Sequence, residues 1–192
     1  LIRRQRQMCI RDSVTPDLAV FAKAMSNGYA MAAVIGIEEV MQAAQDSFIS
    51  STNWTERIGP AAAVAAIKKH ERIDAARHII DIGNRVFEGW KTAAAESGLA
   101  IRTEGLSALN HFSIEIPEAI EATTLFTQLM LERGYLAYNQ FKPSYAHQDR
   151  HIEDYCEAVS EVFHLIREAI DSGQVRRMLK GPAAKTGFYR LT

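Results

Sequence analysis

Cysteine is almost absent: Cys9 and Cys156 are the only two in 192 residues, too few for a framework of several disulfides. A secretory hydrophobic segment and a twenty-residue apolar span are also missing. That composition points to an intracellular, reducing compartment, and the cytoplasm is the expected location. Neither sign of charge is in surplus. Lys and Arg number 22 against 23 Asp and Glu, the formal net charge is -1 and the pI is about 6.7, so the chain as a whole attracts neither nucleic acid nor an anionic membrane. Metal-binding spacing is lacking as well. His147 and His151 stand four apart, but Gln148 and Asp149 between them do not supply the glutamate of a His-Glu-x-x-His helix, and no histidine pairs with a cysteine. No metal is expected. Ser50-Ser51-Thr52 offers hydroxyls that could meet a phosphate, yet there is no Gly-x-x-x-x-Gly-Lys loop, and a polar strand end accounts for it equally.

What is present is enough apolar matter, 47% of the residues, for a substantial core in one domain or two small ones. Short apolar runs alternate with longer helical periods, the pattern of an α/β protein. Strands are expected over residues 17–22 and 31–36, a short helix over 38–45, and a loop or brief strand over 48–54. Gly59-Pro60 opens a helix to about 70, proline being tolerated where the N–H would have no intrahelical partner. After Asp74, the spacing of Ile79, Ile82, Val86 and Trp90 predicts a long amphipathic helix stopped by Gly98. Strands follow at 100–103, 110–116 and 135–138, with helices at 119–133 and 149–172. In the last of these Ile152, Tyr155, Val159, Val162, Phe163, Ile166 and Ile170 form one core-facing stripe, with Asp149 as its expected cap.

Lys23 is the residue with the most chemical promise. It closes the apolar run Leu18-Ala19-Val20-Phe21-Ala22 and is followed by the flexible turn Ser26-Asn27-Gly28-Tyr29. At the end of a buried strand, desolvation would lower the pKa of a lysine and free its lone pair for Schiff-base chemistry. Position alone also allows the commoner alternative, an ammonium that snorkels into water.

Pattern adds to position. Thr15-Pro16-Asp17-Leu18, four residues, Lys23, Asn27-Gly28 and the run Met31-Ala32-Ala33-Val34-Ile35-Gly36 make one ordered block. Thr55-Glu56-Arg57-Ile58-Gly59-Pro60, running into an alanine-rich segment, makes a second. Further on come Glu132-Arg133-Gly134-Tyr135-Leu136 and Ser144-Tyr145-Ala146-His147. In this order the blocks resemble the class III, pyridoxal-phosphate-dependent aminotransferases, and within them the branch of glutamate-1-semialdehyde 2,1-aminomutase, over residues 14 to 192.

The resemblance implies a fold-type I PLP-dependent transferase, with residues 14–98 as the C-terminal part of the cofactor-binding large domain and its linking helix, and 99–192 as the small domain. It implies that Lys23 carries pyridoxal 5'-phosphate as an aldimine and shuttles the proton, and that Thr55 donates its hydroxyl to the cofactor phosphate of a neighbouring subunit in a homodimer. Arg57 could pair with an anion or simply with a surface carboxylate. The implied substrates are a small amino donor and a carbonyl acceptor. An intramolecular aminomutase, an isomerase needing no external donor, is the close alternative, and a non-catalytic remnant that keeps only dimerising surfaces is another. The family aspartate that meets the pyridine nitrogen would lie upstream. The chain therefore reads as the C-terminal portion of a longer enzyme, inactive by itself, with residues 1–13 an unmatched and non-native segment. Two departures stand out: Ala30 occupies a position where relatives carry proline, and residues 137–142 lack the acidic residue of true aminomutases.

Overall fold

The computed structural model describes residues 16–50, 52, 53, 55–185 and 187. Expectations resting on residues 1–13, Thr15, Ser51 and Trp54 lie outside them. The chain divides into two compact units, one up to Asp74 and the other from Ala75.

In the first unit, β1 (Leu18–Phe21) pairs antiparallel with β2 (Ala33–Gly36), Leu18 opposite Gly36 and Phe21 opposite Ala33. Both strands fall where the apolar runs place them. Their burial does not follow the expectation: of β1 only Ala19 is buried, and Val20 is 62% exposed. Both strands are apolar on both faces, the composition of strands covered from two sides, but among the described residues each has only the other as a ladder partner. Helix α1 (Glu38–Gln42) begins with two glutamates, which favour the positive end of the helix dipole, and continues as a 3-10 turn over Ala43–Asp46. The described residues from 48 to 53 form no strand. Helix α2 (Ile58–Arg72) closes the unit.

The second unit starts with α3 (Ala75–Ser97), followed by the hairpin β3 (Ile101–Leu106) and β4 (Leu109–Ile114), helix α4 (Ala119–Glu132), β5 (Gln140–Phe141), α5 (Asp149–Asp171) and the short α6 (Val175–Met178). The sheet is antiparallel in the order β3-β4-β5. A strand over 135–138 is not found. Those residues keep a strand-like alternation, Tyr135 and Ala137 half-buried against exposed Leu136 and Tyr138, but the ladder starts later. Phe112 N–H reaches the carbonyl of Asn139 at 3.0 Å, and only Gln140 and Phe141 pair with β4. The cap of α5 also moves by one residue. Gln148 is the N-cap, in a reciprocal capping box with His151, while the Asp149 carboxylate is paired with Arg85.

Helix α3 belongs to the second unit for a physical reason. The stripe Ile82, Val86 and Trp90 of α3 is buried in the same cluster as Tyr155, Val159, Phe163 and Ile166 of α5. Phe112 of β4 sits at the centre, its ring 5.0 Å from Trp90, 5.1 Å from Phe126 and 5.4 Å from Phe163, all edge-on. Each such pair contributes about 0.5–1.5 kcal/mol beyond the area it buries. Trp90 Nε1–H donates to Tyr155 Oη at 3.1 Å, so the indole dipole is satisfied inside the core. Among the described residues no helix is long and apolar enough to cross a membrane.

Two glycines set how closely α3 is approached. At Gly83 a Cβ would lie 1.8 Å from the Ser107 carbonyl oxygen, and Asn110 Nδ2 donates to the Gly83 carbonyl at 2.9 Å. At Gly89 a Cβ would lie 2.4 Å from Cys156 Sγ on α5. In the middle of a helix, alanine would ordinarily gain about 1 kcal/mol over glycine. Gly83→Ala is expected to do the reverse and lower the urea unfolding midpoint, a net loss of about 1–3 kcal/mol from forcing α3 off the hairpin turn. An unchanged or raised midpoint would show that the turn at Ser107 yields freely.

Candidate active site

Lys23 opens a single 3-10 turn, Lys23–Ser26, directly after β1. Its φ is 59°, Asn27 follows at φ 49° and ψ 53°, and Gly28 at φ 109°. Glycine takes such angles freely and asparagine tolerates them, but for lysine the crowding of Cβ against the backbone costs about 1–2 kcal/mol. Strain of this kind persists only where the surroundings impose it, and it gathers at functional sites. Here the surroundings are a set of short backbone bonds. Asn27 N–H reaches the Ala24 carbonyl at 3.1 Å, and the buried Ser26 hydroxyl donates to the carbonyl of Tyr29.

The turn rests against α2, whose first turn is able to come close because of Gly59. A Cβ there would lie 2.6 Å from the Ala30 carbonyl oxygen and 3.3 Å from Met31 Cβ. Ala22 and Ala24, on either side of Lys23, line an apolar cavity of about 700 Å³ together with Phe21, Met25, Ile67 and His70. Lys23 itself is exposed. Ala24 is exposed as well and Ala22 only half-buried, so the burial expected from the apolar run is not found at this turn, because β1 is itself largely uncovered.

Thr55 lies exposed in the turn before α2, in the same unit as Lys23. Capping that helix is the competing use for its hydroxyl, and the helix is capped by its neighbour. Glu56 Oε2 accepts the Gly59 N–H at 3.0 Å and Oε1 accepts the Ile58 N–H. Arg57, the N-cap residue by position, makes no side-chain cap bond and is exposed. Glu56 is the residue that sequence reasoning passed over. The signal was available: an acid placed ahead of Gly59-Pro60 meets N–H groups that lack intrahelical acceptors. Those N–H bonds, Gly59 first and then Ile58, hold the Glu56 carboxyl below its ordinary value of 4.5.

This arrangement presents an amine in a strained turn beside an apolar cavity, and a hydroxyl not consumed by capping. A lysine amine can attack a carbonyl carbon and a threonine hydroxyl can donate to a phosphate oxygen. The sequence profile described as Aminotransferase class-III matches residues 8–163. The 3-aminobutyryl-CoA aminotransferase of Cloacimonas acidaminovorans (strain Evry) is 32% identical over 158 residues, covering 77% of this chain and 37% of that protein. The 2'-deamino-2'-hydroxyneamine transaminase of Streptomyces kanamyceticus is 26% identical, covering 78% and 39%. Among solved structures, the FumI protein of Sphingopyxis sp. MTA144 in its PLP internal aldimine form superposes with a TM-score of 0.77 at 19% identity, over 89% of this chain and 42% of that one. An omega-transaminase from Sphaerobacter thermophilus gives 0.72 at 18%, over 83% and 41%. The fold is that of the fold-type I PLP-dependent transaminases, and the chain spans about two-fifths of the length of these relatives.

The cap supplies a pH test. Because the folded Glu56 carboxyl ionises more readily than the unfolded one, its contribution is present above 4.5 and fades as pH falls through the lower folded value. Amide-exchange protection at Ile58 and Gly59, corrected for intrinsic rates, is expected to drop as pH falls below 4.5. In Glu56→Gln the protection is expected to be lower at neutral pH and flat over that range. A wild-type profile as flat as that of the variant would remove the carboxylate from the cap.

Proposed function

Because the chain belongs to the class III aminotransferases, we propose that it forms the cofactor-lysine portion of an enzyme that moves an amino group from a small amine or amino acid to a carbonyl acceptor. The donor leaves as a carbonyl compound and the acceptor carbonyl becomes an amine. Pyridoxal phosphate is the cofactor of the family, and when bound it supplies an electron-withdrawing ring that stabilises negative charge on the carbon losing its proton. Lys23 would hold it through Nζ and, once displaced by substrate, take a proton from the substrate carbon and return it one bond away. Thr55 would donate its hydroxyl to the phosphate of the cofactor held by a second copy, which makes the working unit a homodimer. The two-cysteine composition supports a reducing compartment such as the cytoplasm.

The observation that carries this reading is the strained lysine itself. A residue with φ 59°, between two alanines that face an apolar cavity, is held in a costly conformation for which packing alone offers no return. The intramolecular alternative, a glutamate-1-semialdehyde aminomutase, would use the same lysine but no external donor. The proteins matched by sequence carry aminotransferase or transaminase names, which favours the intermolecular reaction. Turnover that proceeds without any added amino donor would reverse that preference.

Two experiments on the protein expressed from its complete reading frame test the assignments. Borohydride reduction after loading with pyridoxal phosphate should place the pyridoxyl group on Lys23 in a peptide map. Lys23→Ala should then lose turnover by about four powers of ten or more, since the proton transfer alone accounts for about 10²–10⁴. A label on another lysine sinks the assignment. Thr55→Val removes one donor to a charged phosphate, worth about 1.5–3 kcal/mol, so the cofactor dissociation constant should rise by about one to two powers of ten. The melting temperature of the unloaded protein should stay put, because Glu56 holds the cap. Unchanged cofactor affinity would take Thr55 out of the site.

A further inference from the structure

In the second unit, between β5 and α5, the chain is pinned by two imidazole rings. Ser144 N–H donates to His147 Nδ1 at 2.9 Å, with Ser144 Oγ 3.2 Å from the same nitrogen. Four residues later the arrangement repeats, with Gln148 N–H donating to His151 Nδ1 at 3.1 Å. A ring nitrogen accepts only when it carries no proton, so each bond requires a neutral ring with its hydrogen on Nε2. A third histidine fastens the segment from α3: His78 Nε2–H donates to the His147 carbonyl at 2.9 Å, and its ring lies 5.0 Å from that of Tyr145. The His147 ring lies 5.1 Å from Phe141 of β5. Together with Tyr138, Phe141, Lys142 and Tyr155 it walls a cleft of about 450 Å³.

We propose that residues 143–148 are a strap released by protonation: neutral His147 and His151 hold it closed along β5, and adding a proton to Nδ1 of His147 sets two N–H groups against each other, frees the strap and widens the cleft. This inference stands apart from the amino-transfer reading and would hold if that reading failed.

Among the described residues, the groups that act on the His147 ring include no carboxylate to compensate a charged ring. The groups that face it are His78 from α3, Lys142 beside β5, and His151 and Tyr155 from α5. In the first turn of α5, Asp149 is paired with Arg85, and Glu153 lies 3.8 Å from the same guanidinium. Asp154 and Glu157 act on Tyr135. Burial, the largest effect, holds the His147 ring below its ordinary 6.5; the Ser144 backbone opposes it, and His151 and then His78 push the same way as burial. A group with a depressed folded value stabilises the closed strap above 6.5 and loses that contribution as pH falls through the lower value.

Nuclear magnetic resonance on the full chain tests this directly. At pH 7.5 the His147 Nδ1 nitrogen should show the shift of an unprotonated acceptor. Between pH 7.5 and 5 the Ser144 amide proton should move upfield with the same midpoint as the ring, below 6.5, and the heteronuclear NOE of residues 144–148 should fall. In His147→Gln, whose side-chain oxygen can accept from Ser144 without titrating, both readouts should stay flat over that range. Amides of Val159 and Phe163 in the core report that the unit remains folded. A proton on His147 Nδ1 at pH 7.5 would overturn the proposal. So would a Ser144 amide that ignores the ring's titration, or a strap equally pH-sensitive in His147→Gln.

Discussion

The first turn of α2 reaches the backbone at Ala30 and Met31 because Gly59 has no side chain to hold it away, and the geometry around Lys23 depends on that contact. With α2 seated there, the turn from Lys23 to Ser26 has a wall behind it, Ala22 and Ala24 face a cavity, and the left-handed conformation of Lys23 is held in place. The same seating fixes the start of α2, so that Glu56 can fold back on the Ile58 and Gly59 N–H groups and leave Thr55 outside the cap. One missing methyl group thus supports both the strained amine and the free hydroxyl.

The second unit is organised on another principle. Its core is built of aromatic rings packed edge to face around Phe112, with the Trp90 indole N–H satisfied by Tyr155. Among the described residues the first unit has no comparable core: Ala19 and Ala63 are the buried apolar ones, while Val20, Val34 and Ile35 are exposed on the two paired strands. Strands of that composition fit the interior of a larger sheet. The second unit thus buries an apolar core of its own, while the first carries apolar surface suited to be covered.

Most of the element order was legible because periodicity is a property of neighbouring residues. The α3 and α5 stripes could be read from spacing alone, and the two strands around Lys23 from their apolar runs. What could not be read is what depends on distant partners. Residues 135–138 alternate like a strand, but only Gln140 and Phe141 pair with β4, and at the next step the Asn139 side-chain amide takes the Phe112 carbonyl in place of a backbone N–H. Gln148 outcompetes Asp149 for the cap because Arg85, from a helix more than sixty residues earlier, engages the aspartate. At the candidate site, the place of Lys23 at the end of β1, ahead of a turn, was legible from its motif. Its positive φ and its exposure were not, since both are set by α2 and by how little covers β1.

The contact between Gly89 and Cys156 couples the sizes of two side chains that lie 67 positions apart in the chain. Sulfur fills the space that a methyl group on α3 would need, so the pair has a fixed combined volume. Substitution at one position is constrained by the other: alanine at 89 calls for a smaller residue at 156, and a larger residue at 156 calls for glycine at 89. Over evolutionary time the two sites should drift together, and a library that varies them singly would miss combinations that are tolerated only in concert.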